Sequence, residues 1–235
     1  RETFLMPLSW HDDWPYVSES KKSLLKVEGP IWAKQETKKD FIADFQDQVQ
    51  QEEWMYLRNP TADSYRWSKG KLELCPSKIR FADKKNPTFI GLRQSDFNCC
   101  VEADVLFEPM FVGSEAGLVI LLASEFHYRI AIRKNGDKKE IFVYKKAEDF
   151  EQCAKVLAIS EGITQIRVEA VRDKYSFYYQ DSLLCTASTR FLACEVFGRC
   201  FTGTLIGLYA YSEEERERRM EVHRFTLSNN PAPMV

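Results

Sequence analysis

The alternation of apolar and polar residues over 126–133 limits this chain more than any other feature. In "FHYRIAIRK", Phe126, Tyr128, Ile130 and Ile132 fall on one side of an extended backbone, and His127, Arg129, Ala131 and Arg133 on the other. A period of two belongs to a half-buried β-strand, not to a helix. Asn135 and Gly136 follow. Both accept positive φ, so a hairpin turn is expected there, with "EIFVYKK" returning as the partner strand. The same reading applies to "TQIRVEAV", the turn "RDK", "YSFYYQ" and "DSLLCTAST", and earlier to "FIADF", "WMYLRNP", "GKLELCP", "TFIGLRQ", "NCCVEADVLF" and "GLVILLAS". More than ten strands at short intervals, with no helical segment between them, specify an all-β fold built as an antiparallel sandwich or barrel.

Two stretches have helical composition. "FQDQVQQEEW" is long enough for a turn or two. "EEERERRM" has charges that pair at i,i+4 but only Met220 as an apolar anchor, so a solvated loop or hairpin tip is expected. Residues 1–39 differ from the rest: they are rich in Trp and Pro at first, then polar with a Gly29-Pro30 break, and no helical period is sustained. They read as one short strand and a connector, leaving 40–235 as the β domain.

With 235 residues, 44% of them hydrophobic and 29% charged, the chain is long enough to bury a sizeable core. A net charge of -2, with Lys and Arg mixed among Asp and Glu, lacks the concentrated basic face of a nucleic-acid binder. No apolar run approaches the ~20 residues that span a bilayer. The seven cysteines are odd in number and show no zinc spacing. Free buried thiols in a reducing compartment are expected, and with no signal peptide visible a cytoplasmic location is favoured.

Few residues suggest chemistry. His11-Asp12-Asp13 in "WHDDWP" reads as a turn, because sequence neighbours do not face one pocket. His127 shares its strand face with Arg129 and Arg133, a face expected to be solvated or to line a concave surface. His223 lies in a closing strand-like run and reads as structural. No nucleophile elbow, dinucleotide glycine pattern or calcium loop is present, so neither cofactor nor metal is expected. The aromatics Trp54, Tyr56, Tyr65, Trp67, Phe89, Phe97, Tyr175, Phe177, Tyr178, Tyr179, Phe201 and Tyr209 fit either core packing or a platform on which sugar rings stack. Phe201 stands apart. Thr202 and Gly203 separate it from the strand beginning at Leu205, where it would cap a sandwich edge or reach outward.

The segments "WMYLRNP", "GKLEL", "NPTFIGLRQSDF", "EAGLVI", "FHYRIAI", "YSFYY" and "FTGTLIGLYA", in this order and spacing, resemble the C-terminal domain of glycoside hydrolase family 43 β-xylosidases. The opening "RETFLMPLSWHDDWPYV" is similar to the closing strand of the catalytic five-bladed β-propeller of those enzymes. The resemblance implies a concanavalin-A-like jelly-roll sandwich of two curved antiparallel sheets. It also implies an inverting hydrolase acting on β-1,4-xylo-oligosaccharides and often on arabinofuranosides, with an aspartate base and a glutamate acid in propeller blades that precede this chain. No catalytic residue is then expected here, and the chain by itself is expected to be inactive. Arg1 matches the sugar-binding arginine of the family's "RET" motif. Phe201 matches a phenylalanine that enters the propeller's pocket and walls a sugar subsite. Expected partners are a catalytic propeller, in this or another chain, and a xylo-oligosaccharide or related sugar, with a homo-oligomer also open. A chain beginning inside a propeller blade is expected to be part of a larger enzyme or a degenerate copy of one. Two other roles stay open: a stand-alone lectin-like sugar binder, and a protein-interaction domain that has lost the sugar.

Overall fold

The computed structural model describes residues 6–17, 39–46, 52–198 and 202–229. The chain divides into two compact units, residues 1–38 and 39–235. In the first, β1 (Ser9–His11) and β2 (Trp14–Tyr16) pair antiparallel. Asp12 and Asp13 form the tip at φ of 50° and 62°. Positive φ at both central residues is the twist of a tight two-residue hairpin, and aspartate tolerates it better than most residues. The "WHDDWP" turn therefore forms, but as the tip of a hairpin where one strand was expected.

The second unit contains β3 (Phe41–Ala43), β4 (Met55–Tyr56), β5 (Tyr65–Ser68), β6 (Lys71–Leu74), β7 (Thr88–Arg93), β8 (Cys99–Leu106), β9 (Glu115–Ala123) and β10 (Phe126–Asn135). It continues with β11 (Lys138–Ala147), β12 (Phe150–Ala158), β13 (Thr164–Val171), β14 (Lys174–Tyr179), β15 (Ser182–Ser188), β16 (Leu205–Tyr211) and β17 (Met220–Asn229). A seven-stranded sheet runs β12-β11-β10-β9-β16-β7-β4. An eight-stranded sheet runs β15-β14-β13-β8-β17-β6-β5, with β3 also on β17. All pairings between these strands are antiparallel. This is a concanavalin-A-like jelly-roll sandwich. Helix among the described residues is confined to short turns at Ala62–Ser64, Thr189–Leu192 and Cys194–Phe197. The proposed turns within "FQDQVQQEEW" lie largely outside the described residues.

The core between the sheets collects one face of each strand: Leu118 and Ile120 from β9, Ile130 and Ile132 from β10, Ile206 and Leu208 from β16, packed on Val101, Val168, Phe177 and Phe225 of the other sheet. The β10–β11 turn falls one residue later than expected. Asn135 pairs with Lys138, and Gly136 takes the positive φ of 59°. Six described cysteines are free thiols. Cys99 and Cys100 are buried, and burial raises each thiol to about 12. Cys153, on edge strand β12, is exposed rather than buried.

The two outer faces differ. On the eight-stranded sheet the outer face is a ladder of ion pairs: Arg167–Glu169 at 2.5 Å, Arg167–Glu102 at 3.8 Å, Lys71–Glu221 at 2.8 Å and Lys71–Glu73 at 3.1 Å. Arg167 and Glu73 are themselves buried, so these pairs keep partly covered charges compensated. On the seven-stranded sheet the outer face is a second apolar cluster of Phe89, Val119, Leu121, Ala131, Phe142, Leu205 and Tyr209. The connection from β6 to β7 folds over it. Ser77 bonds Ala210 and Ser212 through the backbone, and Phe81 meets Phe89, Tyr209 and His127 edge-on or tilted at 5.5–6.3 Å between ring centroids. Strand β10 is therefore covered on both faces: His127 and Ala131 are buried as fully as Tyr128 and Ile130. Of the two expectations for the His127 face, solvated or lining a concave surface, this connection removes the first, since His127 and Ala131 are both buried.

Glycines allow the strands of that sheet to crowd. A Cβ at Gly207 would stand 2.4 Å from the Ile90 carbonyl oxygen and 2.5 Å from the Cα of Gly91, its partner on β7. A Cβ at Gly117 would meet the Ile130 carbonyl at 2.4 Å. These glycines sit in "NPTFIGLRQ", "EAGLVI" and "FTGTLIGLYA" because the neighbouring backbone leaves no room for a side chain. The charged run after β16 is less solvated than expected. Glu217 is buried and accepts hydrogen bonds from the backbone N–H groups of Met110 (2.9 Å), Phe111 (3.1 Å) and Arg218 (2.7 Å).

Candidate functional site

A cavity of ≈ 180 Å³ lies on the outer side of the seven-stranded sheet, between the strands and the 79–82 stretch of the covering connection. Register builds its floor and walls. Arg129 stands opposite Tyr144 and His127 opposite Lys146. Lys146 stands opposite Glu151 of β12. Glu115, Tyr209 and Tyr211 come from β9 and β16, and Arg80 and Phe81 close the side away from the sheet. Alternation on each strand sends its core residues inward and these polar and aromatic residues outward.

The charges are matched in pairs. Arg129 donates to Glu115, and its guanidinium lies 4.2 Å from the centre of the Tyr144 ring. Lys146 and the Tyr144 hydroxyl both donate to Glu151. Arg80 donates to Glu213 at 2.9 Å and lies 4.7 Å over the Tyr211 ring. The Lys146 hydrogen bond, then that of Tyr144, hold Glu151 below the usual carboxylate range. Burial, then the hydrogen bond to Glu151, push the Tyr144 phenol up to about 12. His127 is a neutral imidazole. Its Nδ1 donates to the Ser124 carbonyl at 2.9 Å, and burial, with Arg129 nearby, lowers its pKa to about 3.

Two buried groups at the floor make no well-aligned hydrogen bond, the Tyr209 hydroxyl and Arg129 Nε, although the hydroxyl lies within loose reach of both Glu115 and the Arg129 guanidinium. Tyr209 is 2% exposed, and burial, then the Glu115 carboxylate, raises its phenol far above its ordinary range. The cavity offers aromatic faces, neutral donors and acceptors, and mutually compensated ions, which is equipment for binding. Among the described residues no group of three or more His, Cys, Asp or Glu is placed to hold a metal ion.

A second cleft of ≈ 190 Å³ adjoins the first, sharing Phe81 and Ser124. Its far side is Thr202, Gly203 and Leu205, and Leu57, Arg58, Leu121 and Ala123 complete it. Gly203 turns the chain at a φ of 74°, and the backbone is then anchored. Gln94 N–H donates to the Thr204 carbonyl at 2.9 Å, and Thr204 Oγ1 donates to the Leu192 carbonyl at 2.8 Å.

Of the residues singled out from the sequence, His127 lines the cavity. Phe201 and Arg1 lie outside the described residues. His11, Asp12 and Asp13 stay in their hairpin. The aromatic series does not assemble into a platform. Trp54 and Trp67 pack with Phe41, Phe45 and Phe225 in the core, Tyr175 and Phe177 pack on Tyr128, and Phe97 is exposed. Among the described members of that series only Tyr209 reaches the cavity. Glu115, Tyr144 and Tyr211 were not singled out, although their alternate positions on β9, β11 and β16 were readable once the outer face was known to be covered, and Phe81, on the β6–β7 connection, carried no periodic signal.

A family model described as the beta xylosidase C-terminal Concanavalin A-like domain matches residues 42–228. A non-reducing end alpha-L-arabinofuranosidase of Bacteroides ovatus is 33% identical over 227 residues, covering 89% of this chain and 41% of that protein. A xylosidase/arabinosidase of Butyrivibrio fibrisolvens is 26% identical over 227 residues, covering 90% of this chain and 43% of that protein. The solved structure of the Bacteroides ovatus xyloglucan PUL GH43B superposes with a TM-score of 0.80 at 26% identity, covering 96% of this chain and 46% of that one. The chain thus spans less than half the length of the relatives it matches.

Proposed function

Because the chain belongs to the family of β-xylosidase C-terminal concanavalin A-like domains, we propose that it serves as the non-catalytic sandwich of a xylosidase- or arabinofuranosidase-like glycoside hydrolase. In this reading it packs against a catalytic β-propeller and completes that propeller's sugar pocket. The propeller supplies the acid and base for an inverting cleavage of a xylo-oligosaccharide or related sugar. The sandwich supplies a rigid wall.

The observation that carries the reading is the anchored loop end at Thr202–Leu205. Two hydrogen bonds fix Thr204 to β7's end and to Leu192, and Leu205 pairs with both Arg93 and Leu121. A subsite wall requires a firm support, and this anchor supplies one where the segment joins the sandwich. Phe201 stands three residues before Thr204. An aromatic ring there stacks on the C–H face of a sugar and excludes water without competing for protons. The hairpin of residues 9–16 is, on this reading, the closing edge of the propeller's last blade, with Arg1 directed to the same pocket.

The experiment joins the chain to a catalytic propeller of the family and measures hydrolysis of aryl xylosides and arabinosides. The chain alone shows no turnover, and the joined protein exceeds the propeller alone in kcat/KM. Turnover by the chain that survives repurification and disappears on a point mutation within it would overturn the division of labour. Equal kcat/KM with and without the chain would overturn the pocket role.

A further inference from the structure

The cavity beneath the 79–82 stretch has a composition that specifies its occupant. Three cations border it, Arg80, Arg129 and Lys146. Each is already held by a carboxylate: Glu213, Glu115 and Glu151 respectively. Among the described residues each bordering cation already faces a carboxylate, so an ionic ligand would compete with an existing pair, at a cost for the partly buried Arg129–Glu115 and Lys146–Glu151. A purely apolar ligand fits no better, because it would leave the Tyr209 hydroxyl and Arg129 Nε at the floor with nothing beyond their poorly aligned contacts to each other's side chains and Glu115. A neutral molecule with several hydroxyls and an apolar face satisfies all these conditions. Its hydroxyls can both donate and accept, its C–H face lies on Phe81 or Tyr211, and no ion pair is disturbed. A space of ≈ 180 Å³ suits one ring rather than a chain of them.

We propose that this cavity binds a single neutral glycosyl unit, with Tyr209 and Arg129 as the floor donors and Phe81 as the stacking wall. The site uses only residues of this chain. The readout is binding by this chain alone, so it is separate from the propeller reading, and the described lining residues come from β9, β10, β11, β12 and β16, the β9–β10 turn, and the β6–β7 connection up to the first residue of β7.

The test uses the 235-residue chain, labelled with nitrogen-15 and titrated with methyl β-xyloside, methyl β-glucoside, glucuronate and glucosamine while amide shifts are followed. The neutral glycosides give saturable shifts at Gly117, Ser124 and Ala210, and the charged sugars bind more weakly. Tyr209→Phe removes only the hydroxyl and keeps the ring. It weakens binding by about 3- to 10-fold, the range for one lost hydrogen bond, without lowering the melting temperature. Phe81→Ala weakens binding further, and because no propeller is present in the titration, failure of the pocket-wall role does not mimic failure of this site. The proposal is overturned by absent saturation with all four sugars in a folded chain, by shifts confined to other surfaces, by tighter binding of glucuronate or glucosamine, or by equal affinity in Tyr209→Phe and the wild type.

Discussion

His127 converts the covering of the outer face into a measurable dependence on pH. In the folded chain its pKa lies at about 3, lowered from 6.5 by burial and by the guanidinium of Arg129, with Lys146 adding to both. In the unfolded chain the imidazole has its ordinary value. Between those limits the unfolded state binds a proton that the native state refuses, so stability falls as pH falls from 6.5 towards 3. At pH 5 the unfolded form is favoured by roughly 1.5 units, and at 1.36 kcal/mol per unit this is a loss of about 2 kcal/mol relative to neutral pH. Because His127 is 6% exposed, solvent screening takes little from that figure. The assay is urea unfolding at pH 7 and pH 5 for the wild type and for His127→Gln, which keeps a donor for the Ser124 carbonyl. Other titrating groups act in both proteins and cancel in the difference. The wild type loses about 2 kcal/mol more than the variant over this interval. Equal losses would refute the reasoning, because they would show an imidazole that titrates alike in both states and hence a face open to water.

Two further substitutions test the packing. Gly207→Ala places a methyl against the Ile90 carbonyl and the Gly91 backbone, neither of which can swing away. It should cost about 1–3 kcal/mol and lower the melting temperature by roughly 2–4 °C for each kcal/mol; an unchanged transition would contradict the close approach of β16 and β7. Glu217→Gln turns an amide N–H towards backbone donors that now meet a carboxylate. It should cost about 1–3 kcal/mol, read by the same unfolding curves, and a neutral outcome would return the charged run to solvent.

Much of the fold was legible because strand signals are local. Alternation in "FHYRIAIRK" and "TQIRVEAV" marked β10 and β13, and Asn135-Gly136, a pair tolerant of positive φ, marked the turn between β10 and β11 to within one position. What lies on the far side of a strand is not local. Whether the His127–Arg129 face meets water depends on the β6–β7 connection crossing it, and nothing in the sequence of β10 encodes that crossing. The cavity shares this origin: Glu115, Tyr144 and Tyr209 are far apart in sequence and are brought together by register across four strands. The glycines of the three family-like segments could be noticed in the sequence, but the backbone contact that excludes a side chain was visible only with the strands paired. Glu217 looked like one more charge in "SEEERERR", and only the fold shows that three backbone donors converge on it.

The role proposed for Phe201 as the wall of a sugar subsite is tested most directly by Phe201→Ala in the chain joined to a catalytic propeller of the family. Unfolding of the chain and kcat/KM on xylobiose are measured on the same preparations. The account predicts a stability change well under the ~3–5 kcal/mol of an emptied core phenylalanine site, together with a fall in kcat/KM of roughly tenfold, the worth of one aromatic contact. A core-sized loss of stability with unchanged kcat/KM would contradict it and make Phe201 a packing residue of the sandwich edge.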